Sequence, residues 1–351
     1  MASISIYMTK TLLITGGAGF IGSEFVRYWL ETRPDDRVLV LDALTYAGNL
    51  DNLISVRNDP RFTFYPGLIQ EETAVNGIFR AEKPTHVLNF AAESHNDRSM
   101  VDPGSLIHTN VYGVTVLLEA CRRWGVERFL HVSTDEVYGE IGSGAFKETD
   151  PLEPRTPYSA AKAGGEMQVR AHRIAYGTPT VVTRGSNTFG PFQFPEKLLP
   201  FFITRAMQDK RLPVYGAGNQ VRDWIHVRGH CEGIAWALEK GELGAAYNVG
   251  GGNERTNINV TRQVLALLGK SESLIKHIED PRGEAHDKRY ALNTDKIAAL
   301  GWRPAHDFEA SLKQTVQWYQ ENEDWWRKIT ESPEYQSFVR GYYGRFLGDD
   351  L

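Results

Sequence analysis

Tyr158 and Lys162 stand four residues apart in Thr156-Pro157-Tyr158-Ser159-Ala160-Ala161-Lys162, a stretch that opens like a helix because Pro suits the first turn. Residues i and i+4 share a helix face, so the phenol and the ammonium become neighbours. A tyrosine titrating at about 10 is a poor base at neutral pH, and a nearby positive charge stabilises its phenolate. Such a pair takes up a hydroxyl proton while hydride leaves the adjoining carbon. The same spacing also occurs on exposed helix surfaces, so alone it leaves both readings open.

A second candidate group is Ser133-Thr134-Asp135-Glu136-Val137-Tyr138-Gly139, which follows the strand-like run Arg128–Thr134. Two adjacent carboxylates at the end of a strand are costly unless solvated or employed, and ligands of parallel sheets bind outside that edge. The bland alternative is an acid pair capping a helix in a loop.

Both groups need a frame. Leu12-Leu13-Ile14-Thr15-Gly16-Gly17-Ala18-Gly19-Phe20-Ile21-Gly22 is an apolar strand entering a glycine turn and leaving as an amphipathic helix. Glycines there let backbone approach a pyrophosphate, and the helix N-terminus offers unpaired N–H groups. Gly17, Gly19 and Gly22 fit one spacing of the dinucleotide fingerprint, and Gly16, Gly19 and Gly22 the other. Asp42 ends the next strand, where a carboxylate bonds a ribose and repels a 2′-phosphate, so NAD is favoured over NADP. The expected cofactor residues are Gly16, Gly19, Phe20, Ile21, Gly22 and Asp42, with Tyr158 and Lys162.

Further strands are expected at 37–42, 61–65, 86–91, 128–134 and 180–184, and helices at 21–30 and about 105–124, the latter stopped by Gly125. Strand–helix alternation predicts an α/β, Rossmann-type doubly wound parallel sheet. Residues 8–186 are expected to form the NAD-binding part, starting at Met8. Residues 187–351, with an irregular pattern, are expected to form mainly a smaller substrate-binding lobe, and the chain is free to cross back.

The chain has 351 residues, 41% hydrophobic and 24% charged, an ordinary globular balance. A net charge of −5 offers no general affinity for nucleic acid or anionic membranes, so a bound phosphate needs a local cluster of cations. Cys121 and Cys231 have no metal-type spacing, which favours a reduced cytoplasmic compartment. No run of about 18 apolar residues suggests a membrane span. His226 and His230 lack a third ligand and read as structural, so no metal is expected.

Taken together, Thr15–Gly22, Thr134–Gly139 and Tyr158–Lys162 resemble the extended short-chain dehydrogenase/reductase family. Thr134-Asp135-Glu136 resembles the signature of its dTDP-glucose 4,6-dehydratases. The likeness extends through Ala91–His95, Ser186–Pro191, Phe194–Leu198, Arg222-Asp223-Trp224, His286–Tyr290 and Tyr335-Gln336-Ser337. It implies a lyase of deoxysugar biosynthesis that uses NAD. Tyr158 takes the O4 proton, supported by Thr134 and Lys162; Glu136 is the base at C5 and Asp135 the acid at the departing C6 hydroxyl. By the same resemblance Ser94, His95 and Asn187 line the sugar. Lys197, Leu198, Arg222, Asn257 and Arg289 hold the nucleoside diphosphate. A homodimer through the helices near 105–124 and 158–175 is also implied.

Some positions depart from the family pattern. Leu68 stands where relatives commonly have Asp, Ala43 where many have Lys, and Arg228-Gly229 where an acidic pair is usual. Leucine accepts no hydrogen bond from an adenine amine, so NAD retention is expected to be weaker than usual. Three alternatives stay open: a UDP-glucose or other nucleotide-hexose dehydratase, a UDP-sugar 4-epimerase or decarboxylase, and a non-catalytic dinucleotide-sensing protein.

Overall fold

The computed structural model describes residues 9–100 and 102–348; Met8 lies outside them. Short apolar runs become β1 (Thr11–Thr15), β2 (Arg37–Asp42), β3 (Phe62–Pro66), β4 (His86–Asn89), β5 (Arg128–Thr134) and β6 (Thr180–Gly185). Between them run α1 (Phe20–Thr32), α2 (Glu72–Glu82), α3 (Asn96–Ser99), α4 (Pro103–Ile107), α5 (Val114–Trp124) and α6 (Pro157–Tyr176). The remainder begins with β7 (Asn187–Phe189), α7 (Leu198–Met207), β8 (Leu212–Tyr215), β9 (Val221–His226), α8 (Val227–Lys240) and β10 (Ala246–Val249). It ends with β11 (Glu254–Thr256), α9 (Asn257–Leu268), β12 (Ile275–Ile278), α10 (Asp295–Ala299), α11 (Phe308–Glu321), α12 (Glu323–Thr330) and α13 (Pro333–Leu347).

The main sheet is parallel throughout, in the order β10-β6-β5-β4-β1-β2-β3. Leu13 pairs with Leu39 on one side and Val87 on the other, so β1 is central. Strand order reverses between β1 and β4, and a crevice opens there beyond the carboxyl ends. One sheet face is covered by α1 and α8, which bring Phe25, Trp29, Ile234 and Leu238 into a shared apolar layer. The other is covered by α2 and α5 through Val75, Phe79, Leu117 and Cys121. Burying each such aliphatic or phenyl side chain contributes about 1.5–3 kcal/mol. Because β10 and α8 come from beyond Asn187, the second half of the chain completes the sheet begun by the first.

Two expectations are corrected. The continuous helix over 105–124 is interrupted, because His108–Gly113 widen into a π-helical turn between α4 and α5. There Asn110 donates to the Glu93 carbonyl and accepts from the Glu93 N–H, both at 2.9 Å. Its side chain thus replaces backbone partners, as wide turns at functional sites often require. Gly125 ends α5 as expected, giving its N–H to the Cys121 carbonyl at 3.0 Å. The second correction lies beyond Asn187, where the sequence reads as irregular. That region holds the small sheets β11-β9-β7 and β12-β8 with helices packed around Phe189, Trp224, Tyr319 and Trp326. Strands of three to six residues are too short to show periodicity. Among the described residues no helix is long and apolar enough to cross a membrane.

Candidate active site

One cleft of about 430 Å³ runs across the switch point between β1 and β4. At its floor Gly16 has φ +69°, and a Cβ there would stand 2.6 Å from the Ala91 nitrogen. A Cβ on Gly22 would stand 2.2 Å from the Gly16 carbonyl oxygen. Only glycine permits both approaches. Gly19 precedes α1 without any side-chain cap, which leaves the N–H groups of Phe20, Ile21 and Gly22 outside the helical ladder. Asp42 is buried at the end of β2, accepting from Ala18 N–H on Oδ2 and Leu44 N–H on Oδ1, each at 2.8 Å. Burial pushes its carboxyl up and those two bonds pull it back. Each oxygen keeps a lone pair for a ribose hydroxyl. The uncapped helix end, the floor without Cβ atoms and the carboxylate fit a dinucleotide. Leu68 and Ala43 line the same cleft.

The reacting groups gather where β5 ends and α6 begins. Thr134 caps the short turn Asp135–Tyr138, accepting from Glu136 N–H at 3.3 Å. Asp135 is buried; its Oδ1 accepts from the Thr134 hydroxyl at 3.2 Å, and its Oδ2 has no partner. Burial, then the charges of Glu136 and Asp223, push this carboxyl well above the usual range, with Arg222 opposing. Its protonated form is thereby favoured. Glu136 reaches the cleft and accepts from Asn96 Nδ2 at 2.8 Å.

Thr156 begins α6 with a reciprocal cap, its Oγ1 accepting from Ser159 N–H while Ser159 Oγ accepts from Thr156 N–H. One turn on, Tyr158 and Lys162 face the cleft. Burial, then Glu136 and Asp135, hold the Tyr158 phenol far above its ordinary value, while a hydrogen bond with Thr134 acts in the opposite sense. Lys162 donates to the Val132 carbonyl at 2.6 Å rather than to Tyr158. Burial brings its ammonium down to about 8, with Glu166 opposing.

Ser94, His95, Asn187, Lys197, Leu198, Arg222 and Asn257 line the remaining wall. Asn187 Oδ1 and Asn257 Oδ1 are buried without partners, as ligand-facing amides would be. Lys197 donates to the Ser94 carbonyl, and burial lowers its ammonium. His95 lies against the Glu196 carbonyl at 3.3 Å, and burial lowers its ring from the ordinary imidazole value. Arg222 is fixed by the carbonyls of Val221 and Asp287, each at 2.8 Å, and stacks on Tyr290. Arg289 alone among the expected residues stands off the cleft. It grips Glu254 with Nε at 2.7 Å and Nη2 at 2.8 Å.

Among the cleft residues that escape the sequence reading are Asn96 and Arg282. Asn96 touches Glu136, and Arg282 donates from Nε to Asp97 at 2.7 Å. Although burial raises it, the Arg282 charge holds the Asp97 carboxyl well below the usual range. Asn96 sits beside the noted Ala91–His95 segment and Arg282 in an aperiodic loop, so no local pattern marks either. Arg228 joins α8 to α1 by pairing with Glu24 at 3.1 Å and Glu31 at 2.5 Å. His226 accepts from Arg228 N–H at 3.3 Å and His230 lies 2.8 Å from the Thr188 hydroxyl, both structural contacts. Among the described residues no three His, Cys, Asp or Glu side chains converge on a metal position.

Residues 13–315 match the family described as GDP-mannose 4,6 dehydratase. The dTDP-glucose 4,6-dehydratase of Actinoplanes sp. is 46% identical over 321 residues, 90% of this chain and 99% of that protein. The crystal structure of DesIV, a dTDP-glucose 4,6-dehydratase from Streptomyces venezuelae with NAD and TYD bound, superposes with a TM-score of 0.89. It is 45% identical, and the match covers 91% of this chain and 99% of that one. The UDP-glucose 4-epimerase of Thermus thermophilus in complex with NAD is more distant, with a TM-score of 0.81, 32% identity and coverage of 89% and 99%. The chain belongs to the nucleotide-sugar dehydratase family described as GDP-mannose 4,6 dehydratase, and within it to the dTDP-glucose 4,6-dehydratases.

Proposed function

We propose that this chain dehydrates dTDP-glucose to dTDP-4-keto-6-deoxyglucose, with NAD as its recycled cofactor. One observation carries the reading: Asp135, buried and biased toward its protonated form, stands directly beside the cleft-facing carboxyl group of Glu136. Elimination needs a proton donor and a proton acceptor side by side at C6 and C5, and a simple 4-epimerisation, which needs only a base at O4, has no use for that pair. Residues 8–186 serve mainly the cofactor and 187–351 mainly the substrate.

When bound, NAD supplies the hydride acceptor at C4 and the donor at C6, so no outside redox partner is consumed. Tyr158 takes the O4 proton. Its phenol is held far up by burial and two carboxyl neighbours, so its ionisation needs a hydrogen-bond donor and positive charge nearby; Thr134 provides the first, and Lys162, four residues on in the same helix, is assigned the second. The 4-keto group acidifies the C5 hydrogen, which Glu136 removes. Asp135 passes its proton to the departing C6 hydroxyl, which leaves as water, and the proton that Tyr158 took from O4 restores Asp135 before the next turnover. Glu136 then returns a proton to C5. Lys197, Arg222 and Asn257 hold the diphosphate; Ser94, His95 and Asn187 hold the hexose.

Ile107, Tyr112, Met167, Ile174 and Tyr176 are exposed apolar residues on and between α4 and α6. They support a homodimer formed across these helices, to be checked by sedimentation equilibrium. The buried free thiols Cys121 and Cys231 suit a reducing cytoplasm.

Incubation with dTDP-glucose and, in parallel, UDP-glucose should give an alkali-sensitive 4-keto product from the first. In deuterated water the product should carry deuterium at C5. Absence of 4-keto product from both sugars overturns the reading.

A further inference from the structure

We propose that Asn96 is a positioning residue that aims the Glu136 carboxyl group at C5 and, by donating a hydrogen bond to it, favours its charged form. The inference rests on the dehydratase reading and adds a residue to it. Two adjacent carboxyls must hold opposite protonation states for elimination, and something must choose which one is charged. For Asp135 the choice is burial. It has one weak contact, from Thr134 Oγ1 at 3.2 Å, and an unpartnered Oδ2.

Glu136 has what Asp135 lacks, an amide donor. Asn96 Nδ2 lies 2.8 Å from Glu136 Oε2, and Asn96 Oδ1 accepts from the Thr156 hydroxyl at 3.0 Å. Those two bonds fix the amide's sense. Rotated by half a turn, it would set a carbonyl oxygen against the carboxylate and an N–H against a hydroxyl whose lone pair already serves Ser159 N–H at 3.1 Å. The Asn96 backbone is also anchored, its carbonyl accepting from Ser99 Oγ at 2.6 Å and Met100 N–H at 3.2 Å. A donor bonded to a carboxylate favours the charged form. Thr156 caps α6, the helix that carries Tyr158, so the relay Thr156–Asn96–Glu136 ties the C5 base to the same helix as the O4 base.

The charged and titratable groups facing Glu136 are Asp135 and Tyr158 on the near side, Lys197 on the residue before α7, and Arg282, Asp287 and Tyr290 from the loop beyond β12. Lys197 and Arg282 also favour the carboxylate, but neither makes a hydrogen bond to it among the described residues. Asn96 therefore supplies direction where they supply only charge.

The test is Asn96→Leu, an isostere without donor or acceptor, and Asn96→Asp, which sets a second carboxylate against Glu136. A base works only when deprotonated, so weaker support for its charge moves the acid limb of the kcat profile to higher pH. The expected displacement is about one pH unit for Asn96→Leu, a tenfold change in the ionised fraction, and more for Asn96→Asp. KM should change by less than about threefold. A readout independent of turnover follows the Glu136 carboxyl carbon by 13C NMR through an acid titration, assigned by its loss in Glu136→Gln. Its midpoint should rise in both variants. Unchanged midpoints, or unchanged acid limbs in an active enzyme, overturn the role of Asn96. A wild type that forms no 4-keto sugar while its variants still move the midpoint refutes the dehydratase reading alone.

Discussion

Replacing Asp135 with Asn separates two properties that a carboxylic acid combines. Asn has nearly the same shape and, like the protonated acid, no charge, but it has no proton to give. The elimination step should therefore slow by about 10²–10⁴-fold, the usual worth of a positioned general acid, or about 3–5.5 kcal/mol of barrier. Oxidation at C4 relies on Tyr158 and should proceed. In single-turnover stopped flow the variant should accumulate reduced nicotinamide that decays slowly, where the wild type shows only a transient. Stability should move the other way. Burial raises the Asp135 carboxyl in the folded state, so above the ordinary Asp range the unfolded chain gives up a proton that the folded chain keeps. That difference disfavours folding, and Asn lacks it. Asp135→Asn should be at least as stable as wild type near pH 7 by urea unfolding, and its margin should vanish below about pH 4. Turnover within about threefold of wild type would refute the acid assignment. A loss of stability at pH 7 would refute the claim that burial raises the Asp135 carboxyl.

Lys162→Met should abolish turnover yet stabilise the fold. The fall of its ammonium from 10.5 to about 8 corresponds to about 3 kcal/mol of burial penalty. The penalty is full below pH 8 and absent above 10.5, so the gain in urea unfolding should shrink across that interval. Gly22→Ala places a Cβ 2.2 Å from the Gly16 carbonyl; strain of about 1–3 kcal/mol should weaken NAD by about tenfold or more in a fluorescence titration. Glu166→Ala leaves Arg184, now gripped at 2.7 Å, as an uncompensated buried charge, and should cost about 3–5 kcal/mol of stability. NAD content after purification tests the departures at Leu68 and Ala43: less than one NAD per chain supports weak retention, and a full complement counts against it.

What the sequence discloses depends on how far apart the interacting residues lie. The glycine turn, Asp42 and the Tyr158–Lys162 face are legible because short spacings dictate them. The upward push on the Asp135 carboxyl is not, since beyond its neighbour Glu136 it arises from burial and from Asp223, opposed by Arg222, and both of these arrive on β9. Asn96 meets Glu136 across forty positions, and nothing in either segment announces the other. Arg289 and Arg282 make the same point for cations. Both stand in loops near acids, and only the antiparallel pairing of β11 with β9, which brings Glu254 beside Arg289, takes the first out of the cleft. The strand β10 is four residues long and joins β6 from far along the chain, a pairing that no local pattern encodes.

The bias of Asp135 toward its protonated form also matters one step before that proton is used. Tyr158 is buried, and its ionisation is opposed first by desolvation and then by Glu136 and Asp135. A second full negative charge at Asp135 would add to that opposition just when the phenol must take the O4 proton. Holding Asp135 protonated therefore removes a repulsion during oxidation and stores the proton that elimination later consumes. The carboxyl that must be charged, Glu136, is the one with cleft exposure, an amide donor and the cations Lys197 and Arg282 around it. Burial thus separates the two carboxyls: it biases the group nearest the core toward its protonated form, and it leaves the group facing the substrate with a hydrogen-bond donor. Raising the pH should consequently harm the enzyme twice through one residue. Once Asp135 ionises, the leaving hydroxyl loses its donor and Tyr158 becomes a harder phenol to ionise, so the alkaline limb of turnover should be steeper in wild type than in Asp135→Asn.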